Sequence, residues 1–186
     1  DPTLDVDGHD AAQKLLVASM LAFDAEVDQS SLLVEGIRSV DEIDFRFPDR
    51  FGFTVKHLGI GHDRGERIEL RVHPALIRKN SVLANVDGVL NGIFLMGRAL
   101  GPCLLVGRGA GDMPPAVSVV ADIVDVARSR LEGEPGLMTR SIQLAKRALV
   151  PVDEVETRYY LRFDVGDHPG VVGSIASILG QSHGSI

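Results

Sequence analysis

The sequence has no tryptophan, one cysteine and only nine phenylalanine and tyrosine residues among 186. With a single cysteine, Cys103, no internal disulfide can form and a thiol redox framework lacks its parts. Scarce aromatics and a net charge of -7 argue against a nucleic-acid surface, which needs basic and stacking side chains. No apolar run reaches the roughly 18 residues of a membrane span, and the start shows neither a basic region nor a signal cleavage site. His57, His62, His73, His168 and His183 show no metal-ligand spacing, so no metal site is expected. Ser118 and Ser174 have no identifiable partner base, which leaves hydrolase chemistry without support. At 45% hydrophobic the chain can bury a core, as one domain or two small ones, in a soluble, cytoplasmic protein.

The first 23 residues carry the most information. Helical projection surrounds the axis with Ala11, Ala12, Leu15, Leu16, Val17, Ala18, Met20, Leu21 and Ala22, which predicts one helix buried on all sides and capped by Asp7. Asp10 and Lys14 stand one turn apart in it. Two readings fit that spacing. An i,i+4 ion pair in the first turn is common and worth little. An acid and an amine inside an apolar wrap are costly, however, and are kept mostly where a site needs them.

Beyond this helix, DEIDF and the turn-rich PDRFG predict a short helix bounded by Pro48 and Gly52. Strand character follows at Phe53 to Gly59, Arg67 to His73, Val89 to Met96 and Pro102 to Val106, with a hairpin loop from Gly59 to Gly65. ERIELRVHP alternates, with Ile68, Leu70 and Val72 on a core face and Glu69, Arg71 and His73 on a solvated or subunit-facing one. Cys103, in an apolar strand, reads as a small core residue, and Arg78, Lys79 and Arg98 read as solvated.

Gly107 to Pro115, GRGAGDMPP, ends a strand in alternating glycines and opens a helix running to about Gly133. Such an approach can bind an anion, or can simply turn the chain. Glu134 to Val155 reads as a polar linker. Tyr159 to Val165 alternates as a strand, DHPG is a turn, VVGSIASILGQSHG is a helix, and the last residues read as the start of another strand. Both ends look like cuts through a larger protein.

The motif DPTLDVDGHDAAQK, Asp1 to Lys14, resembles the signature of the homoserine dehydrogenases. The likeness continues through HPALI (His73 to Ile77), LANVDGVLNGI (Leu83 to Ile93) and GRGAGDMPPAVSVVAD (Gly107 to Asp122), and the tail resembles the first half of an ACT domain. This resemblance implies an α/β (α+β) fold: a mixed β-sheet packed with helices in a dimerising substrate domain, followed by a partial ACT-like βαβ unit. It implies a substrate-binding, catalytic and dimerisation domain over 1–106, and over 107–133 a glycine-rich loop and a helix returning toward a nucleotide-binding domain. A linker over 134–156 and a partial ACT domain over 157–186 complete the division. By the same resemblance Lys14 donates a proton to the developing alkoxide, Asp10 orients Lys14 and contacts the substrate oxygen, and Asp5 binds the substrate's cationic amino group. Gly109, Ala110 and Gly111 lie against the cofactor, NADP or NAD. His9 could line the substrate site or simply precede the helix.

The implied reaction interconverts L-aspartate 4-semialdehyde and L-homoserine in threonine, methionine and isoleucine biosynthesis, in a homodimer with a possible amino-acid effector at the ACT domain. Neither a nucleic acid nor a membrane is implied as partner. The family's dinucleotide-binding fold and the glutamate that normally precedes the signature are absent from these 186 residues, so this stretch alone is expected to be inactive. The alternative reading is a non-catalytic dimeric regulatory module with an amino-acid-sensing ACT domain.

Overall fold

A computed structural model of the chain describes residues 1–109, 111–133 and 143–181. It divides into two units, Asp1–Val155 and Glu156–Ile186.

The first unit opens with two helices where the sequence predicts one. Helix α1, Thr3–Val6, is a single turn, and α2 spans His9–Phe23. Gly8 separates them at φ 84°, a left-handed conformation open to glycine at little cost. A Cβ there would also stand 3.0 Å from the His57 ring and 3.1 Å from Val34. Asp7 therefore ends α1 and does not cap α2, whose N-cap is Gly8. Nor is α2 buried on all sides. Ala12, Leu16 and Ser19 are buried, whereas Val17 is 59% exposed and Leu21 67%. Apolarity around the axis is not the same as cover around it, because only one stripe faces the sheet.

That sheet runs β2 (Leu33–Val34), β4 (Ile68–Arg78), β3 (Phe53–Asp63), with β2 parallel and β3 antiparallel to β4. Ile68, Leu70 and Val72 form the core with Ala12 and Leu16 of α2, as the alternation predicts. The predicted loop from Gly59 to Gly65 is instead mostly strand, since β3 continues to Asp63 and the turn closes with Arg64 N–H donating to the Arg67 carbonyl at 3.0 Å. The glycines serve close approach. A Cβ at Gly59 would lie 3.2 Å from Leu15 Cβ, and one at Gly61 would lie 3.0 Å from Leu70 and 3.4 Å from Phe23.

Helix α3, Glu42–Arg50, starts at a capping box between Asp41 and Asp44, and Pro48 lies inside its last turn instead of bounding it. A proline so near the end removes only one late hydrogen bond, and its ring is buried. Strands β5 (Leu90–Gly97) and β6 (Gly101–Arg108) form an antiparallel hairpin. Helix α4, Met113–Glu132, begins at the two prolines and stops at Gly133 with φ 70°, as predicted.

The described part of the stretch read as a linker is tied to the core. Between β1 (Ala25–Glu26) and β7 (Ala145–Lys146) there is a parallel pair, and Leu149 bridges Ile68. Arg147, its side chain 15% exposed, donates to the Asp63 carboxylate at 2.5 Å and to the carbonyls of Gly65 and, at 3.4 Å, Phe23. Arg67 forks onto Glu154 at 3.1 and 2.7 Å.

In the second unit, α5 (Val171–Gln181) follows the DHPG turn, where Gly170 has φ 91°. Tyr159 to Val165, predicted as a strand, joins no ladder among the described residues. The expected start of a further strand, and His183, lie outside the described residues.

Hydrogen bonds from Arg147 and from the Gly65 N–H hold the Asp63 carboxyl below its ordinary range, and the Arg67 fork does the same for Glu154. A carboxyl whose folded pKa is lowered adds stability above its unfolded pKa and loses it as pH falls through the folded one. Arg147→Met is therefore expected to lower the melting temperature most near neutral pH, with the gap to wild type narrowing toward about pH 3. Thermal denaturation across that range checks this; an equal drop at every pH would mean that Arg147 acts through packing alone.

Candidate functional site

The turn from α1 into α2 places four acidic or basic side chains at one end of the helix: Asp5, Asp7, Asp10 and Lys14. The Lys14 ammonium donates to Asp10 Oδ2 at 2.5 Å, with the Lys14 side chain 61% exposed and that of Asp10 39%. Both belong to the exposed stripe that continues through Val17 and Leu21. The sequence's two readings thus divide. The i,i+4 pair is present, but the apolar wrap does not enclose it within this chain. An exposed ammonium beside a carboxylate can give up or take a proton and can bind an oxygen of a small molecule. Asp5, on the exposed side of α1, and His9 stand beside the pair in sequence and are open to solvent.

A loop after β2 forms a bed for this turn. Ile37 N–H donates to the Val6 carbonyl at 2.8 Å, and Gly36 lies so close that a Cβ would fall 2.4 Å from that same oxygen. Arg38 forks onto Asp7, Nε to Oδ1 at 2.5 Å and an Nη to Oδ2 at 3.3 Å. That fork lowers the Asp7 carboxyl from its ordinary range and raises the Arg38 guanidinium. His57 Nε2 is 2.8 Å from the Glu35 carbonyl and therefore donates to it, with its ring under Gly8. Sequence reasoning passed over Arg38 and His57; the only signal was the run of glycines and acids they hold in place.

The glycine-rich turn lies on other elements, between β6 and α4. A Cβ built at Gly109 would fall 1.7 Å from Asn91 Nδ2, so no other residue fits there while the amide keeps its place. Gly111 has φ 113°. Ala110 lies outside the described residues. Gly109 is thus bare backbone packed against the exposed Asn91 amide, and Gly111 holds a conformation that favours glycine. Asn91 stands within the LNGI segment, and nothing in the sequence pairs it with Gly109.

Charged groups also cluster on the sheet face away from α2. Arg64 donates to Glu69 Oε2 through Nε at 2.9 Å and through an Nη at 2.6 Å, and Arg71 contacts the other carboxylate oxygen. Arg71 Nε–H donates to His73 Nε2 at 3.1 Å, so the His73 proton sits on Nδ1 and goes to the Pro74 carbonyl at 2.8 Å. Glu69 is 3% and Arg71 9% exposed, so on the face expected to be solvated or subunit-facing these two are not solvated but form a buried ionic network within the chain. Burial, followed by the charges of Arg64 and Arg71, lowers the pKa of the neighbouring His62. These groups satisfy one another and form a brace rather than a site. Arg78 and Lys79, read as solvated, rest on the Phe53 ring at 5.2 Å and on Asp49. Among the described residues no group of three or more His, Cys, Asp or Glu could hold a metal ion, and no helix is long and apolar enough to cross a membrane.

Residues 1–124 match the homoserine dehydrogenase family. Homoserine dehydrogenase of Neisseria gonorrhoeae is 40% identical over 190 residues, covering 100% of this chain and 44% of that protein. The enzyme of Pseudomonas aeruginosa is 40% identical over 185 residues, covering 97% and 43%. The crystal structure of a homoserine dehydrogenase from Thiobacillus denitrificans superposes with a TM-score of 0.83 at 37% identity, over 98% of this chain and 43% of that one. The chain thus spans less than half the length of the relatives it matches.

In the buried network, Glu69→Gln leaves Arg71 without its counter-charge and is expected to cost about 3–5 kcal/mol. Chemical denaturation measures it, with a Glu69→Met, Arg71→Met double variant recovering much of the loss; a cost below about 1 kcal/mol would rule out the brace.

Proposed function

The chain belongs to the homoserine dehydrogenase family, and on that premise we propose that it forms the substrate-binding, dimerising part of an enzyme interconverting L-aspartate 4-semialdehyde and L-homoserine. The reading rests on one observation above others: the Asp10–Lys14 pair stands exposed at the start of α2, within the motif that matches the family. In the reducing direction Lys14 gives a proton to the aldehyde oxygen as the carbonyl carbon gains a hydride; in the oxidising direction it takes the hydroxyl proton back. Asp10 orients the ammonium and contacts the same oxygen. Asp5 binds the substrate's amino group by a charge-assisted hydrogen bond.

The hydride comes from the nicotinamide cofactor, NADP or NAD, when bound. Gly109, Ala110 and Gly111 would lie against it, a reading supported by the bare backbone and the exposed Asn91 amide at Gly109. The four-part division at 106, 133 and 156 remains our reading of the domains. The strands from Phe53 to Val106 would supply much of a homodimer interface, a reading supported by the exposure of Ile93, Leu95, Met96 and Leu105 on β5 and β6. A hollow at the DHPG turn, lined by Val165, Asp167, His168 and Val171, would take an amino-acid effector such as threonine. We place the enzyme in the cytoplasm, on the route to threonine, methionine and isoleucine.

In the full-length protein, Lys14→Ala is expected to lower kcat by about 10²–10⁴-fold while leaving the dimer intact and substrate binding only moderately weakened. Steady-state kinetics with size-exclusion chromatography test it, and surviving turnover would make Lys14 structural. Gly109→Ala should displace Asn91 and raise KM for the cofactor several-fold, with KM for the semialdehyde little changed; the opposite split would remove the glycine turn from the cofactor site.

A further inference from the structure

Three carboxylates, Asp5, Asp7 and Asp10, fall within six residues at the start of α2, and the proposed reaction uses two of them. The third is dealt with by a residue from elsewhere in the chain. Arg38, 31 positions away, reaches Asp7 with both arms of its guanidinium, while the Lys14 ammonium goes to Asp10. The loop carrying Arg38 is itself locked to this turn by the Ile37 to Val6 hydrogen bond and the close seat of Gly36. The charge of His9, when it carries one, is the other that acts on Asp7, and His9 is exposed.

We infer that Arg38 is a positioning residue that neutralises Asp7, so that Lys14 pairs with Asp10 alone and the substrate's ammonium meets Asp5 without a competing carboxylate. An uncompensated Asp7 would stand in the same turn and attract both cations. It would draw Lys14 from the reacting oxygen and hold the substrate displaced, so catalysis suffers though Asp7 touches nothing that reacts. The inference rests on the proposed roles of Asp10 and Lys14.

The test uses the full-length enzyme. Arg38→Met is expected to reduce kcat/KM for the semialdehyde by about tenfold with KM for the cofactor unchanged. Removing the surplus charge as well, in an Asp7→Asn, Arg38→Met double variant, should bring kcat/KM back to within about threefold of wild type. Arg38→Lys, which keeps the charge and loses the fork, should stay within that same range. A purely structural role would not be rescued by the second substitution, so a double variant as impaired as Arg38→Met overturns the inference, as does an Arg38→Met variant with unchanged kinetics. Lys14→Ala run alongside separates the two levels: if it is inactive while Arg38→Met is unaffected, only the role of Arg38 falls, and if it retains turnover, the site itself falls.

Discussion

The close seat of α2 on the sheet determines what the rest of the first unit can do. Leu15 and Phe23 come down onto Gly59 and Gly61, where any side chain on the strand would push the helix away. With the helix so near, Ala12, Leu16 and Ser19 are enclosed against Ile68, Leu70 and Val72. Rotation about the helix axis is thereby settled. The stripe opposite the buried one, from Asp10 through Lys14 to Val17 and Leu21, has to face outward, so the glycines of β3 decide where the charge pair looks.

Charge is handled differently on the two faces of the same sheet. Away from the helix, Glu69 and Arg71 are buried and every group has a partner inside the network, which leaves nothing over for a ligand. At the start of α2 the carboxylates outnumber the cations, and one of them is withdrawn by Arg38. Charges that hold the fold are saturated among themselves; those of the proposed site are left partly open at the surface. That difference separates a brace from a site here more clearly than burial or charge alone.

The mixed α/β arrangement and most elements were legible because their signals are local. Alternation at Ile68, Leu70 and Val72 marks a half-buried strand, and the prolines and Gly133 mark the ends of α4. The misreadings came from tertiary partners. Gly59 and Gly61 look like turn residues until the helix above them is known, and Gly8 breaks the first helix at φ 84° where His57 and Val34, distant in sequence, leave no space for a Cβ. Asp10 and Lys14 were visible as a spaced pair. Arg38 and Asn91 were not, since a fork across 31 residues and an amide against a glycine leave no periodic trace.

The reading of the sequence that changed most concerns water. An apolar helix suggested that Lys14 works beside a dry wall, yet its side chain is 61% exposed and the apolar neighbours on its stripe, Val17 and Leu21, are equally open. Proton donation next to a developing alkoxide gains most where water is excluded, because the ammonium and the oxygen then interact through a low dielectric. On the proposed reading, this unit supplies the orientation, through Asp10, the Asp7–Arg38 fork and the bed under Gly8, and it supplies an apolar stripe beside the pair. It does not supply the closure. On the proposed role of Lys14, covering Val17 and Leu21 and drying the lysine would be one event.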